Sequence, residues 1–183
     1  MHRQNLLDLL QTYSPQDSQD ELIKNNFIHF VRENPLCFER SLTKGHVTGS
    51  TWLLHPTEDK VLLHFHKKLQ KWMQCGGHAD GDPIILNVAV REAEEESGIS
   101  GVYPVENGIF DIDVHLIPKR DHEPEHLHYD ARFLLRAPHE NFLCSAESEK
   151  LQWFTFEELK RLNVEESVLR MARKWFMGKG NES

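Results

Sequence analysis

Residues 76–99, GGHADGDPIILNVAVREAEEESGI, constrain this chain more than any other stretch. Two glycines and an Asp-Gly-Asp-Pro run end any strand before residue 83, and a helical period follows as far as Ser97. Asp82 is placed to accept a hydrogen bond at the N-cap, with Pro83 at the first helical position, where its missing N–H costs nothing. Gly98 supplies the left-handed residue that closes a helix. The spacing therefore predicts a helix over 83–97. Around it, Leu86, Val90, Ala93 and Ser97 fall within one arc, a small apolar stripe suited to lie on a sheet, and Glu92, Glu95 and Glu96 fall together on the other side.

Those acids sit where they hurt the helix most. Like charges three and four residues apart repel by a few tenths of a kcal/mol per pair, and the negative end of the helix dipole disfavours carboxylates in the last turn. A solvated charged face is the plain explanation. A divalent cation is the sharper one, because hard ions such as Mg²⁺ take oxygen ligands, keep several waters and also hold substrate phosphates.

Gly77 followed by Arg91-Glu92-Ala93-Glu94-Glu95-Glu96-Ser97-Gly98-Ile99 resembles the Nudix box: G, five residues, E, seven residues, then REUxEExGU with U a bulky aliphatic. Gly77, Arg91, Glu92, Glu95, Glu96, Gly98 and Ile99 match in type and spacing. Pro83 stands where the family has a glutamate, and Ala93 where it has a larger aliphatic. Since that glutamate helps to brace the box arginine, Asp80 or Asp82 is the substitute expected for Arg91. The resemblance implies hydrolysis of a diphosphate linkage in a nucleoside diphosphate joined to another group X. It also implies that Glu92, Glu95 and Glu96, with the backbone carbonyl near Gly77, hold one to three Mg²⁺ or Mn²⁺ ions while Arg91 orients the glutamates. The general base is then one of the helix glutamates or an acid from the loop before Trp153, Glu147 or Glu149.

A weaker, partial resemblance is to isopentenyl diphosphate isomerase, which shares the Nudix fold and uses a cysteine next to Gly-His with metal-holding histidines and glutamates. Here Cys75-Gly76-Gly77-His78, His46 and the pair His126/His128 correspond in part, with an extra glycine before His78 and histidines in place of glutamates. The full set of box carboxylates favours a hydrolase. A Nudix-like module that binds a nucleotide as a regulator, without catalysis, is a third class. His46, His78, His126 and His128 themselves have three readings: an additional Zn²⁺ or Mn²⁺ site, since neutral imidazole suits transition metals, a substrate pocket, or hydrogen bonding within the structure.

The rest of the chain agrees with one principal domain. At 183 residues it is long enough for a substantial core, and a formal charge of −8 argues against a nucleic-acid polymer or a membrane surface as partner. No apolar run approaches the length of a membrane span, and Met1–Tyr13 carries no signal-peptide pattern, so a cytoplasmic location is expected. Cys37, Cys75 and Cys144 are odd in number and form no CxxC pair, which argues against a disulfide scaffold. Residues 1–44 read as a helical extension: Leu6, Leu7, Leu9 and Leu10 give a first helix. Ser14, Pro15 and Asp17 start a second, with Leu22, Phe27, Ile28, Phe30 and Val31 as its apolar set, and Asn34-Pro35 stops it. This extension serves as a lid, as the surface of a homodimer, or as packing on the main domain, the last being the expectation.

From residue 45 the period becomes that of strands. Residues 46–54 and 61–65 read as a hairpin around Pro56 and Asp59. Lys67 and Lys68 follow it, either as surface charge or as point charges for substrate phosphate oxygens. Residues 110–117 and 125–135 alternate polar and apolar with period two, which puts His126, His128, Asp130 and Arg132 on one face. That face is either the solvent side of a sheet or the wall of a site, with Arg132 a further candidate for the phosphate. Trp153 leads from a strand into a short helix, and a last helix near 165–176 has Val168, Leu169, Met171, Ala172, Trp175 and Phe176 on its apolar side. The expected class is α+β, a Nudix-like α/β/α sandwich with a mixed sheet, made of the 1–44 extension, a 45–178 domain and a frayed tail at 179–183. Its expected partner is a small-molecule diphosphate.

Overall fold

A computed structural model describes residues 2–119, 124–143, 148–162 and 164–178. Two helices come first, α1 (Gln4–Thr12) and α2 (Ser18–Glu33), and the strands β1 (Gly45–Leu54), β2 (Val61–His66), β3 (Lys71–Met73) and β4 (Gly76–His78) follow. The helix α3 (Ile85–Ser97) leads to β5 (Tyr103–Pro104), β6 (Asp111–Ile117), β7 (His126–Arg136) and β8 (Ser148–Phe154), and α4 (Phe156–Arg161) and α5 (Glu166–Gly178) end the chain. The class is α+β, with a mixed sheet behind two N-terminal helices, as the sequence predicts. Strands neighbour one another in the order β3-β2-β1-β7-β5, with β4 also on β1, β6 on β7 and β8 on β2.

Backbone contacts group these elements into two compact units. The first holds Met1–Ser50, Gly76–Ala89 and Asn107–Phe133, and the second Thr51–Cys75, Val90–Glu106 and Leu134–Ser183. In the first, Asp17 caps α2 by accepting from the Asp20 N–H at 2.8 Å, and Asp20 in turn accepts from the buried Tyr13 hydroxyl at 2.7 Å. Phe27, Phe30 and Val31 are the buried residues of the α2 apolar set, and Phe30 stacks on Tyr129 of β7 with centroids 3.7 Å apart. Leu22, expected on that face, is 58% exposed. It belongs to the first turn and a half of α2, ahead of the residues that face Tyr129.

Three glycines, Gly49, Gly76 and Gly77, set the close approach of β4 and of the α3 start to β1. Gly77 lies opposite Gly49 and Gly76 opposite Ser50. A Cβ on Gly76 would come within 2.3 Å of Ser50 Oγ and 2.8 Å of Ser50 Cα, and one on Gly49 within 2.9 Å of the Ile85 carbonyl oxygen.

In the second unit the predicted hairpin is present, β1 pairing with β2 antiparallel through Leu53 opposite Leu62 and Leu54 opposite Val61. β2 continues the sheet on its other edges to β3 and β8, and its register with β8 shifts at Phe65/His66. Thr155 and Glu158 form a capping box at α4, and Phe156 stacks on Phe176 of α5 at 5.3 Å. Trp52, Leu53, Leu62 and Leu63 are almost completely buried.

The helix α3 begins at Ile85, two residues later than the sequence suggests. Asp82 Oδ1 accepts from the Ile84 N–H at 2.9 Å, closing an Asx turn that precedes the helix, while Ile84 is the residue whose carbonyl receives the first helical bonds, from Asn87 and Val88. The C-terminal end is as expected: Gly98 has φ +68° and its N–H returns to Glu94. The buried residues are Ile85, Val88, Ala89, Ala93, Glu96 and Ser97, whereas Leu86 and Val90 are only half-buried. The inward face is thus rotated from the predicted stripe by about one residue, and Glu96 lies on it.

Candidate active site

The end of α3 places its three glutamates in three environments. Glu95 is exposed, Glu92 half-buried, and Glu96 only 8% exposed. Glu96 lies beside His64 of β2, with His64 Nδ1 3.6 Å from its Oε1, and beside the thiol of Cys75, which donates a hydrogen bond to it. Burial holds the His64 ring down to about 4, so it is neutral near pH 7 and adds no positive charge next to Glu96. At 3.6 Å the contact is also too long for a hydrogen bond. Burial and the charges of Glu96 and Glu92 hold the Cys75 thiol well above its ordinary value, so Cys75 is a neutral donor and not a thiolate.

Arg91 donates to Glu92 Oε1 at 2.9 Å, so the box arginine does contact a box glutamate. Asp80, one candidate for its brace, is gripped by Arg40 through two bonds of 2.5 and 2.6 Å, and Asp82 serves the turn before α3. Glu94, the fourth acid of the run, accepts from the backbone N–H groups of Gly101 and Val102 at 2.6 and 3.2 Å and fastens the loop behind the helix.

Lys67 and Lys68 are exposed in the turn between β2 and β3, where the His66 ring accepts from the N–H groups of Lys68 and Leu69. Glu149 is exposed on β8 between the partners of Phe65 and His66, where the register shifts, and accepts from Gln70 at 3.4 Å. Glu147, its alternative, and Cys144 lie outside the described residues.

The face carrying His126, His128, Asp130 and Arg132 is not the solvent side of a sheet. Its cross-strand neighbours on β6 are Ile117, His115, Asp113 and Asp111 in that order. Arg132 is 1% exposed and spends its guanidinium on three aspartates: Nε on Asp130 at 2.8 Å and its two terminal nitrogens on Asp111 and Asp113, both at 3.1 Å. Thr48 and Ser50 of β1 donate to the other Asp130 oxygen at 2.9 and 2.7 Å. Arg132 therefore has carboxylates around it where the sequence suggested a phosphate.

Beyond that network four histidines gather. The ring of His46 lies 5.0, 4.8 and 4.9 Å from those of His78, His126 and His128. The donor atoms of His46, His78 and His128 all lie within 4.8 Å of one another. Among the described residues this is the trio already gathered in that way, and Glu92, Glu95 and Glu96 are not drawn together to the same degree. Burial and four neighbouring histidines lower His128 to about 2, which leaves it a neutral imidazole.

The family model for the NUDIX domain matches residues 46–175. The chain belongs to the Nudix family. Among solved structures, a Nudix-family hydrolase from Clostridium perfringens is 30% identical, with a TM-score of 0.54 over 69% of this chain and 93% of that one. A MutT Nudix hydrolase from Burkholderia pseudomallei, 18% identical, has a TM-score of 0.56 over 72% and 98%. The E. coli dihydroneopterin triphosphate pyrophosphohydrolase, 14% identical, has a TM-score of 0.56 over 72% and 95%. The last two show the shared fold alone. A comparison with curated proteins gave no match. As a Nudix domain the chain is an enzyme of the pyrophosphohydrolase type, in a family that acts on small nucleoside diphosphates linked to X and generally uses divalent metals.

The Nudix box of this enzyme suits such an ion. Glu96 brings a buried carboxylate to the helix end beside the neutral Cys75 thiol and the neutral His64 imidazole, and Glu92 and Glu95 precede it by one turn and by one residue. Carboxylate oxygens are the donors a hard divalent cation takes. His64 was the residue that sequence reasoning missed here. Its signal was faint, an ionisable group at an inward position of an otherwise apolar strand.

Proposed function

We propose that this Nudix enzyme hydrolyses a diphosphate linkage in a nucleoside diphosphate joined to a group X, by attack of water at phosphorus, with Mg²⁺ or Mn²⁺ held by Glu92, Glu95, Glu96 and the Gly77 carbonyl. The observation that carries the reading is Glu96, a carboxylate buried at the end of α3 beside a thiol kept protonated by burial and by that same charge. When bound, the ion neutralises phosphate charge and favours hydroxide over water. The chain does the remaining work. Arg91 holds the Glu92 carboxylate in place through its 2.9 Å bond. Lys67 and Lys68 offer exposed ammonium groups to phosphate oxygens. As water forms its bond to phosphorus and the bridging P–O bond breaks, a carboxylate takes the proton, and Glu149, exposed on β8, is our choice. Arg132 is assigned to the internal aspartate network.

Residues 1–44 are, in this reading, an extension packed on the 45–178 domain, supported by the stacking of Phe30 on Tyr129. No helix among the described residues is long and apolar enough to cross a membrane, and Cys37 and Cys75 are free thiols, which accords with a cytoplasmic enzyme.

The test is a screen of nucleoside triphosphates, dinucleoside polyphosphates, nucleotide sugars, ADP-ribose and NADH with Mg²⁺ or Mn²⁺, run beside Glu95→Gln and Glu149→Gln. Glu95→Gln is expected to lower kcat on the order of 100-fold or more. Turnover by Glu95→Gln equal to the parent would overturn the assignment of the box, and full activity of Glu149→Gln would move the base to a helix glutamate.

A further inference from the structure

From the four-imidazole cluster on β1, β4 and β7 we infer that this protein holds a transition-metal ion of the Zn²⁺ class at His46, His78 and His128, with His126 as the fourth donor, in a site separate from the Nudix box.

The residues come from three strands and meet because of register. His46 and Thr48 alternate on β1, His78 lies opposite Thr48, and His126 and His128 alternate on β7. Aromatic rings of ordinary core residues pack as closely as this, so proximity alone decides nothing. What distinguishes the cluster is donor chemistry and orientation. His126 Nδ1 lies 2.8 Å from the Pro124 carbonyl oxygen, which only accepts, so Nδ1 is the donating nitrogen and Nε2 is the one turned inward. That Nε2 is 3.2 Å from His128 Nε2. A histidine that donates outward to a backbone carbonyl and points its second nitrogen at other donors is oriented as metal-binding histidines are.

The distances fit with small movement. An ion amid three nitrogens 4.8 Å apart, the widest separation here, sits about 2.8 Å from each, and Zn–N bonds of about 2.0–2.1 Å then need each ring to close in by under about 1 Å. Imidazole selects for transition ions over Mg²⁺. His46 and His126 are 2% and 5% exposed, and His78 and His128 are half-buried, so the ion has a dry side and an approach.

Charge points the same way. Three carboxylates, Asp111, Asp113 and Asp130, share the single guanidinium of Arg132 on the same face as the histidines, an excess of negative charge next to the cluster. His115, 3.1 Å from Asp113, has its ring 5.5 Å from that of His128 and links the two groups. A divalent cation held by neutral ligands offsets that excess. Because its ligands lie on separate strands, the ion would cross-link β1, β4 and β7 and stabilise the folded chain by linkage.

The experiment uses the full chain, stripped with chelator, given one equivalent of Zn²⁺, desalted and assayed for metal, alongside His78→Asn, His128→Asn and Glu95→Gln. The parent and Glu95→Gln are expected to keep about one ion per chain with a raised Tm, and the histidine variants to lose the ion and the rise in Tm together. Should a histidine variant fold poorly, titration of the stripped parent with Co²⁺ decides. Imidazole proton shifts at the four histidines with a tetrahedral visible spectrum support the site, and a six-coordinate spectrum overturns it. The inference also fails if the parent retains no ion, if both histidine variants bind as the parent does, or if Glu95→Gln alone abolishes binding. None of these outcomes depends on turnover, so the hydrolase reading stands or falls apart from it.

Discussion

Replacing Arg132 with methionine is the most direct test of the buried network, because the sequence and the structure assign that residue different work. Its guanidinium meets Asp130, Asp111 and Asp113 at 2.8, 3.1 and 3.1 Å, with Asp111 and Asp130 at most 3% exposed and Asp113 at 15%. Removing it leaves three neighbouring carboxylates, two of them desolvated, without that cation. Breaking a buried pair by deleting one partner costs about 3–5 kcal/mol. With two acids shut from water and the third partly open, about 4 kcal/mol is expected, a fall in Tm on the order of 10 °C for a chain of this size. Adding Asp130→Asn should recover part of the deficit by removing one of the stranded charges. Chemical denaturation reads both effects. A midpoint within experimental error of the parent, together with a raised KM for a diphosphate substrate, would refute the network and return Arg132 to the phosphate.

Three further outcomes are expected. Gly76→Ala should cost on the order of 1–3 kcal/mol in denaturant, since its Cβ would stand 2.8 Å from Ser50 Cα, a backbone atom that cannot swing aside; an unchanged midpoint would show that β4 can lift off β1. Cys37, raised to about 11, and Cys75, held well above its ordinary value by burial, are buried neutral thiols, so at pH 8 alkylation followed by mass spectrometry should modify them only after unfolding. Rapid labelling of either in the native protein contradicts that account. In chelator, stability should fall on acidification: His64 and His128, at about 4 and about 2 when folded, stay neutral while their unfolded counterparts take up protons below about 6.5. Stability from these two groups is complete above that value and drops by about 1.4 kcal/mol per histidine per pH unit beneath it, about 4 kcal/mol between pH 7 and 5. A flat midpoint over that interval disposes of the burial assigned to them.

The box, the hairpin and the alternating strands were legible because each is written in local order: Gly98 closes a helix by its own conformation, and period-two alternation names a strand without reference to its partner. What stayed hidden depends on groups far apart in the chain. Nothing within 125–135 says that Asp111 will stand opposite Arg132, so an arginine on a polar face was open to a phosphate as readily as to an aspartate. The start of α3 slipped by two residues because Asp82 satisfies an Asx turn as well as a cap, and the choice is made by where Ile85 packs on Gly49. The inward rotation of Glu96 escaped for a related reason. A periodic plot ranks a carboxylate as outward-facing, and only the thiol of Cys75 beside it reveals otherwise.

Thr48 and Ser50 reach Asp130 across separations of 82 and 80 residues, whereas Leu54 and Val61 of the hairpin meet within a single turn. Closing the long loop carries the larger entropy, so the polar bonds to Asp130 form late, after the hairpin has condensed. They then act chiefly as a latch on the finished molecule. Thr48→Val or Ser50→Ala should hasten unfolding in a stopped-flow chevron and leave the refolding limb almost unmoved. The network thus governs how long each molecule stays folded, more than how fast it gets there.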